Sequence, residues 1–235
     1  MNLFYHPNRL RTSEEILFDK EESRHIVKVL RKHEGDMLHI TDGAGFIYSA
    51  RITDANDKRC TAQIFETQEV PTMPYSLHMA VAPTKTNDRF EWFLEKATEI
   101  GISEITPIIC DHSERKAIKP DRYEKILQSA MKQSLKAHLP KLNPAVSLRD
   151  FLEKAHLEDI KCIAHCEETG KILLKNIVEP KRSVLILIGP EGDFSPAEIG
   201  KAKARGFTAV TLGNTRLRTE TAAIVACHSV AYTNQ

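Results

Sequence analysis

Apolar and polar positions alternate with a period of two over much of the first third of the chain, which predicts strands rather than helices. In MLHITDGAGFIYSARITDA the alternation runs on both sides of Asp42–Gly45. Asp-Gly supplies the positive φ that a tight hairpin turn demands, so the segment reads as two antiparallel strands. RCTAQIFETQEV continues as another strand. Ahead of these, EESRHIVKVLRK reads as a helix whose apolar stripe is Ile26, Val27, Val29 and Leu30. Short strands with one helix predict a small barrel.

EVPTMPY, Glu69 to Tyr75, carries two prolines that interrupt both helix and sheet, and the domain boundary is expected there. Beyond it the period switches back and forth. SLHMAVAP, ITPIIC, IKCIAH, SVLILIG and FTAVTLG read as strands. NDRFEWFLEKATEIG reads as a helix with Phe90, Phe93, Leu94 and Ala97 on one face and Gly101 as its stop. PDRYEKILQSAMKQSLKAHLP is expected to be helical from Pro120 almost to Pro140, and LRDFLEKAH is a shorter helix. SPAEIGKAKARG has a complete start signal: Ser195 as N-cap, Pro196 at N1 and Glu198 closing a capping box. TETAAIVACHSVAY is the closing helix. Alternating strands and helices predict a parallel α/β sheet, and the near-continuous apolar run of SVLILIG suits a strand covered on both faces.

Composition narrows the class. At 235 residues and a formal net charge of +1, the chain can bury a sizeable core and is not a strongly basic RNA-coating protein, though a local basic face is allowed. The start, MNLFYHPNRL, lacks the apolar core of a signal peptide, and no apolar run approaches a membrane span, so cytoplasmic residence without a membrane partner is the expectation. The five cysteines are scattered; Cys162 and Cys166 have no second Cys/His pair nearby to complete a zinc site, and free thiols without a metal are expected. On the helix SRHIVKVLRK, Arg24, Lys28 and Arg31 share a face by spacings of four and three. With Arg9 and Arg11 they form a candidate phosphate-tracking face; the plainer alternative is a solvated face balanced by Glu21 and Glu22. Lys132 and Lys136 on the long helix form a second candidate strip, for which a solvated face is the favoured reading.

Two stretches carry the candidate chemistry: LIGPEGDFSPAEI, Leu187 to Ile199, and LGNTRLRTETA, Leu212 to Ala222. Each runs from a strand through a glycine turn into a helix, and in open α/β sheets ligands bind beyond the carboxyl ends of the strands. A third strand ends in the polar HCEETG. Neither turn has the glycine and lysine pattern of a phosphate loop or the three-glycine dinucleotide fingerprint. Glu191 and Asp193 would repel a pyrophosphate, so a ligand read by base and ribose, or one bearing positive charge, fits better. The alternative is that the glycines only make tight connections. Arg218 and Glu220 stand at the mouth of the last helix, either as a first-turn carboxylate with an arginine partner or with the guanidinium held over the pocket.

The two motifs together resemble the signature segments of the ribosomal small-subunit RNA uridine-N3 methyltransferases, of the SPOUT class. HIVKVLRKHEGD is similar to that family's N-terminal motif, KTNDRFEWFLEKATEIGISEITPI to the first βαβ of its catalytic domain, and AHCEE to its middle strand end. The resemblance implies a PUA-like β-barrel over residues 1–70 serving RNA binding, and over 75–235 a parallel SPOUT sheet with a deep trefoil knot. It implies S-adenosylmethionine as cofactor, small-subunit ribosomal RNA as substrate, within an assembled particle, and a homodimer with a shared active site. Cofactor contacts implied are His165, Cys166 and Glu167 from the middle strand end, Ile188, Gly189, Pro190, Glu191 and Gly192 from the first turn, and Leu212, Gly213, Leu217 and Thr221 from the second. Catalytic candidates are Arg218, Arg216 and Glu220. The family often reads LGPRILRTETA; here Thr215 stands at the first arginine's position and Arg216 follows. Methylating N3 requires loss of its proton, which spreads negative charge onto the flanking carbonyl oxygens, and Arg218 is the expected charge stabiliser. Methylation of another RNA atom, such as a ribose 2′-hydroxyl, and a non-catalytic RNA-binding factor are the alternatives.

Overall fold

The computed structural model describes residues 2–8, 10, 12, 14–167 and 170–235. The chain divides into two compact units: residues up to Thr72 together with Met131–Leu139, and Met73–Ala130 together with Pro140–Gln235. A single sequential boundary does not anticipate the return of 131–139 to the first unit. Backbone bonds from Gly45 N–H to the Ala137 carbonyl and from Leu139 N–H to the Gly43 carbonyl hold it there, and the His138 Nε2 lies 2.9 Å from the Val70 carbonyl.

In the first unit, β1 (Leu3–Tyr5), β2 (Glu15–Leu17), β3 (Met37–Thr41), β4 (Phe46–Asp54) and β5 (Thr61–Glu69) form one sheet in the order β1-β3-β4-β5-β2. β1 pairs parallel to β3 and the other pairings are antiparallel. The hairpin of β3 and β4 turns at Asp42–Gly45 as the sequence predicts. Asp42 explains the turn: its carboxylate accepts the N–H groups of Ala44 and Phe46 and the hydroxyl of the fully buried Tyr48. The inward residues Phe4, Ile16, Leu38, Ile40, Ile52 and Ile64 form the core. The expected amphipathic helix is short. α1 (Lys20–Arg24) passes into a π-helical turn at His25–Val29, closed by a bond from Leu30 N–H to the His25 carbonyl, and Arg31 adopts a positive φ of 54°. The wider turn breaks the predicted stripe: Ile26 is buried but Val29 is 66% exposed, and Arg31 lies beyond the helix.

The second unit carries β6 (Ser76–Val81), α2 (Asn87–Ile100), β7 (Glu104–Ile109), the body of α3 (Pro120–Gln133), β8 (Lys141–Leu142), β9 (Val146–Ser147) and α4 (Leu148–Glu153). β10 (Ile160–Ala164), β11 (Ile172–Leu173), β12 (Ser183–Ile188), α5 (Pro196–Ala204), β13 (Thr208–Thr211) and α6 (Thr219–Thr233) complete it. The strands form a parallel sheet ordered β11-β13-β10-β12-β6-β7-β8, with β9 beside β7. Leu185 and Leu187 pack with Phe151, Phe194, Ile199 and Phe207 on the side of α4 and α5. The intervening Val184 and Ile186 are equally buried and face the other side, where α6 meets β6, β12 and α2. Among the described residues, no helix is long and apolar enough to cross a membrane.

α3 stops at Gln133, short of the predicted end near Pro140. Lys136 N–H bonds the Met131 carbonyl and Leu135 N–H the Lys132 carbonyl, the paired bonds of a Schellman stop, with Leu135 itself at φ 56°.

Candidate active site

β13, β10 and β12 are neighbours in the sheet, so their carboxyl ends emerge side by side. The three turns that follow them wall one cavity of about 930 Å³, a size that suits a nucleoside-sized ligand. From the β10 end come His165, Cys166 and Glu167; from the β12 end Ile188, Gly189, Pro190 and Glu191; from the β13 end Leu212, Gly213, Arg216, Leu217 and Arg218. Gly192, Glu220 and Thr221, also singled out in the sequence, do not line it. Asp193 of the first motif and Asn214, Thr219 and Ala222 of the second line it as well, together with Lys171 and Thr211, which neither motif includes.

Short bonds between the turns set the cavity's shape. Asp193 holds a left-handed conformation at φ 63°, and one carboxylate oxygen accepts the Cys166 N–H at 2.7 Å, tying the β12 turn to the β10 end. Its other oxygen accepts the Phe194 N–H at 2.8 Å. Glu191 accepts the Lys85 N–H at 2.9 Å, and Arg115 donates to the carbonyls of Thr84 and Lys85, so the loop after β6 is fastened to the same turn. Each carboxylate of the GPEGD turn thus bonds backbone within the fold. Gly192 passes its carbonyl to His112 Nδ1 at 3.0 Å, and a Cβ there would meet the His112 Cβ at 3.0 Å, so this glycine serves packing behind the wall. A Cβ on Gly189 would press within 3.1 Å of the Phe194 ring. Gly213, at φ 145°, occupies backbone space that disfavours other residues.

The charged groups fall into two kinds. Arg216 and Arg218 are exposed at the cavity, and no hydrogen bond or ion pair within the described residues engages either guanidinium. Glu220 is buried in the first turn of α6, and its partner is Arg89, 3.8 Å away, rather than Arg218. His165 is 7% exposed and neither ring nitrogen meets a partner. Burial, followed by Lys171, pushes its pKa below the ordinary histidine value. The Cys166 thiol is pushed up by burial and then by Asp193, so it stays protonated at neutral pH and is not a nucleophile. None of the five cysteines, all among the described residues, forms a disulfide.

In the first unit, Lys28 and Arg31 border a hollow of about 640 Å³ together with Lys32 and His33. Lys28 also sits 3.5 Å from Asp57. Arg24 is exposed but does not line that hollow. Lys132, taken in sequence as a solvated strip, instead pairs with Glu22 at 2.9 Å. Arg9 and Arg11 lie outside the described residues.

Residues 71–231 match the RNA methyltransferase domain family, and residues 18–65 the RNA methyltransferase PUA domain. The chain belongs to the RNA methyltransferase family. A relative within this methyltransferase family, the ribosomal RNA small subunit methyltransferase E of Buchnera aphidicola subsp. Acyrthosiphon pisum, is 33% identical over 89% of this chain and 85% of its own. A probable rRNA-methyltransferase from Porphyromonas gingivalis superposes with a TM-score of 0.93 at 38% identity, covering 100% of this chain and 98% of the other. The ribosomal RNA small subunit methyltransferase E of Neisseria gonorrhoeae, solved bound to S-adenosyl methionine, has a TM-score of 0.87 at 30% identity, covering 97% and 95%. The parallel sheet with an N-terminal PUA domain expected of a SPOUT methyltransferase is therefore the architecture this chain has.

Proposed function

We propose that the chain methylates N3 of a uridine in small-subunit ribosomal RNA, with S-adenosylmethionine as donor. The observation that carries this reading is the single cavity at three adjacent strand ends, built from backbone turns and devoid of a phosphate cradle. Its residues fit the cofactor. The carboxylates of the GPEGD turn are bonded inward, His165 lines the wall, and Gly189 and Gly213 bring backbone to it. When bound, S-adenosylmethionine supplies an electrophilic methyl group on a positively charged sulfur. Gly189, Pro190, Leu212 and Leu217 would hold its nucleoside, with Cys166 and Glu167 at the border.

The chain's own contribution to chemistry is electrostatic. Uridine N3 must lose its proton before it has a lone pair to offer, and the target base must leave its stack to reach the cavity. Arg218 and Arg216, unpaired at the cavity's edge, can stabilise the charge that appears on the uridine carbonyl oxygens. Arg216 takes over from the position held here by Thr215. Arg218→Ala is expected to lower single-turnover methyl transfer about 100-fold while leaving the calorimetric affinity for S-adenosylmethionine within about threefold. Equal loss in both would remove the catalytic role.

For the rest of the molecule, the same reading assigns RNA contact to the first unit through Lys28, Arg31 and Lys32, and a cytoplasmic, homodimeric protein acting on an assembled small-subunit particle. The sheet order, with β12 between β10 and β6, suits the trefoil knot expected of the class. The test is radiolabelled methyl transfer to small-subunit particles lacking the modification, followed by nucleoside analysis. Label in 3-methyluridine is the expected result. Label on a ribose 2′-oxygen, or none with particles and free RNA alike, would overturn it.

A further inference from the structure

Several exposed helix faces of the second unit pair their charges. On α2, Lys96 lies 2.7 Å from Glu95 and 2.9 Å from Glu99; on α4, Arg149 lies 3.4 Å from Glu153; and Arg122 of α3 pairs with Glu91 of α2. α5 departs from this pattern. Its exposed residues are Pro196, Ala197, Gly200, Lys201, Lys203 and Ala204, with Arg205 exposed at the C-cap. Its single acid, Glu198, is 8% exposed and accepts the N–H groups of Ser195 and Asp111. Among the described residues, no ion pair or side-chain hydrogen bond engages Lys201 or Arg205. Cations in a last turn suit the helix dipole, but further positive charge arrives from other elements. Lys161 of β10 donates to the Arg205 carbonyl at 3.0 Å and lies over the Phe207 ring. Lys171, on the cavity wall, donates to the His165 carbonyl at 3.1 Å. After burial, the charges of Lys171 and Lys203 lower the His165 pKa, so both reach the end of β10. Of the acids there, Asp193 is committed to the N–H groups of Cys166 and Phe194.

We propose that the outer face of α5, with Lys201, Lys203 and Arg205 flanked by Lys161 and Lys171, is a track for the ribose-phosphate backbone of the substrate RNA. This rests on the methylation reading given above and adds to it a surface for the strand. α5 carries the chain from the cavity edge, just after Asp193, back to the amino end of β13, so the track leads away from the site of chemistry along the second unit. The partner follows from charge and relief. The whole chain has a formal net charge of +1, so five cations gathered around one helix with no exposed acid of its own are a local excess. A polyanion meeting such a row releases its condensed counterions. Lys201 and Arg205 stand one turn apart, about 6 Å along the axis. Ala197, Gly200 and Ala204 share the face of Lys201 by helical spacing and keep it low. A Cβ on Gly200 would meet nothing within 4 Å. A nucleic-acid backbone can therefore approach closely. The row holds no aromatic or amide side chain to read a base, so it fixes register and leaves the choice of nucleotide to the cavity.

The full-length parent is compared with Lys201→Gln combined with Arg205→Gln, and with a control, Arg149→Gln combined with Arg182→Gln, which removes two exposed but ion-paired cations. Binding to unmodified small-subunit particles and to free small-subunit ribosomal RNA is measured across salt concentrations, alongside methyl transfer and calorimetric affinity for S-adenosylmethionine. The α5 variant is expected to bind both forms of RNA about tenfold more weakly at low salt, and the slope of log affinity against log salt should shrink by about 1.5. Its KM for particles rises, while kcat at saturation and cofactor affinity stay at the parent's values. The control keeps the parent's slope. A charge-preserving variant, Lys201→Arg combined with Arg205→Lys, also keeps it, which separates loss of charge from damage to the helix. An unchanged slope in the α5 variant, an equal loss in the control, or a loss in the charge-preserving variant overturns the proposal. Weaker binding to particles with none to free RNA assigns the face to a ribosomal protein and overturns it equally. A parent that neither binds nor methylates particles would instead remove the methylation reading on which the track stands.

Discussion

Asp193 keeps a left-handed backbone that costs a non-glycine residue on the order of 1 kcal/mol, and it returns more than that through two bonds. A short acidic side chain tolerates this conformation best because it can bond nearby backbone. Asp193→Ala keeps the strain and orphans the Cys166 N–H, so it is expected to destabilise the protein by about 2 kcal/mol and to weaken cofactor binding. Asp193→Asn, which keeps an acceptor, should lose less in denaturant unfolding. The sequence shows why a phosphate is unwelcome at this turn but not that its two carboxylates face inward, since the Lys85 and Cys166 N–H groups that capture them come from other strand ends. His165 adds a pH dependence. Its folded pKa lies below the ordinary value near 6.5, so the unfolded chain takes up the proton first as pH falls. The stability is fully present above about pH 6.5 and declines as pH drops toward the folded value. Urea unfolding at pH 7.5 and pH 5.5 should show this decline, and His165→Phe should reduce it.

Elements were legible where local rules set them. The capping box of α5 is present as read: Ser195 Oγ accepts from the Glu198 N–H and Glu198 accepts the Ser195 N–H. What the sequence could not show is that the same residues hold a distant loop. Ser195 Oγ donates to Asp111 at 2.6 Å, and Glu198 accepts the Asp111 N–H at 2.9 Å. Ser195→Ala should therefore cost about 1 kcal/mol as a lost cap. Glu198→Ala, which leaves two N–H groups without an acceptor, should cost more, about 2–3 kcal/mol by denaturant unfolding. Equal effects of the two would reduce Glu198 to a capping role. The misread elements share a cause. α3 stops at Gln133, with Leu135 rather than a glycine taking the left-handed φ of the stop, and the π-helical turn after α1 ends at Val29 and is followed by Arg31, whose left-handed φ no residue preference announces. In both places a non-glycine residue holds a left-handed backbone against its local preference.

At the scale of the molecule, the parallel sheet follows from strand and helix alternation, whereas neither a knot nor a partner leaves a periodic trace. α6 nonetheless carries a sign of a partner. Its buried side, Ala223, Ala226, Cys227 and Val230, packs on α2, β6 and β12. An ordinary surface helix would be polar on the remaining face. Here that face presents Ile224 and Val225, only partly buried, and Tyr232, 69% exposed and stacked on His228 at 5.9 Å. A second copy of the chain covering this face would bury it, and the homodimer proposed above supplies that copy. Ile224→Asp combined with Val225→Asp is expected to halve the mass seen in sedimentation equilibrium while far-ultraviolet circular dichroism stays unchanged, because the altered side chains lie outside the helix's buried contacts. If both subunits form the active site, methyl transfer per chain should fall in the variant and, for the parent, on dilution below the dimer's dissociation constant. A parent protein that sediments as a single chain at micromolar concentration and keeps its rate per chain constant on dilution would leave the apolar face of α6 without this explanation and the site complete within one chain.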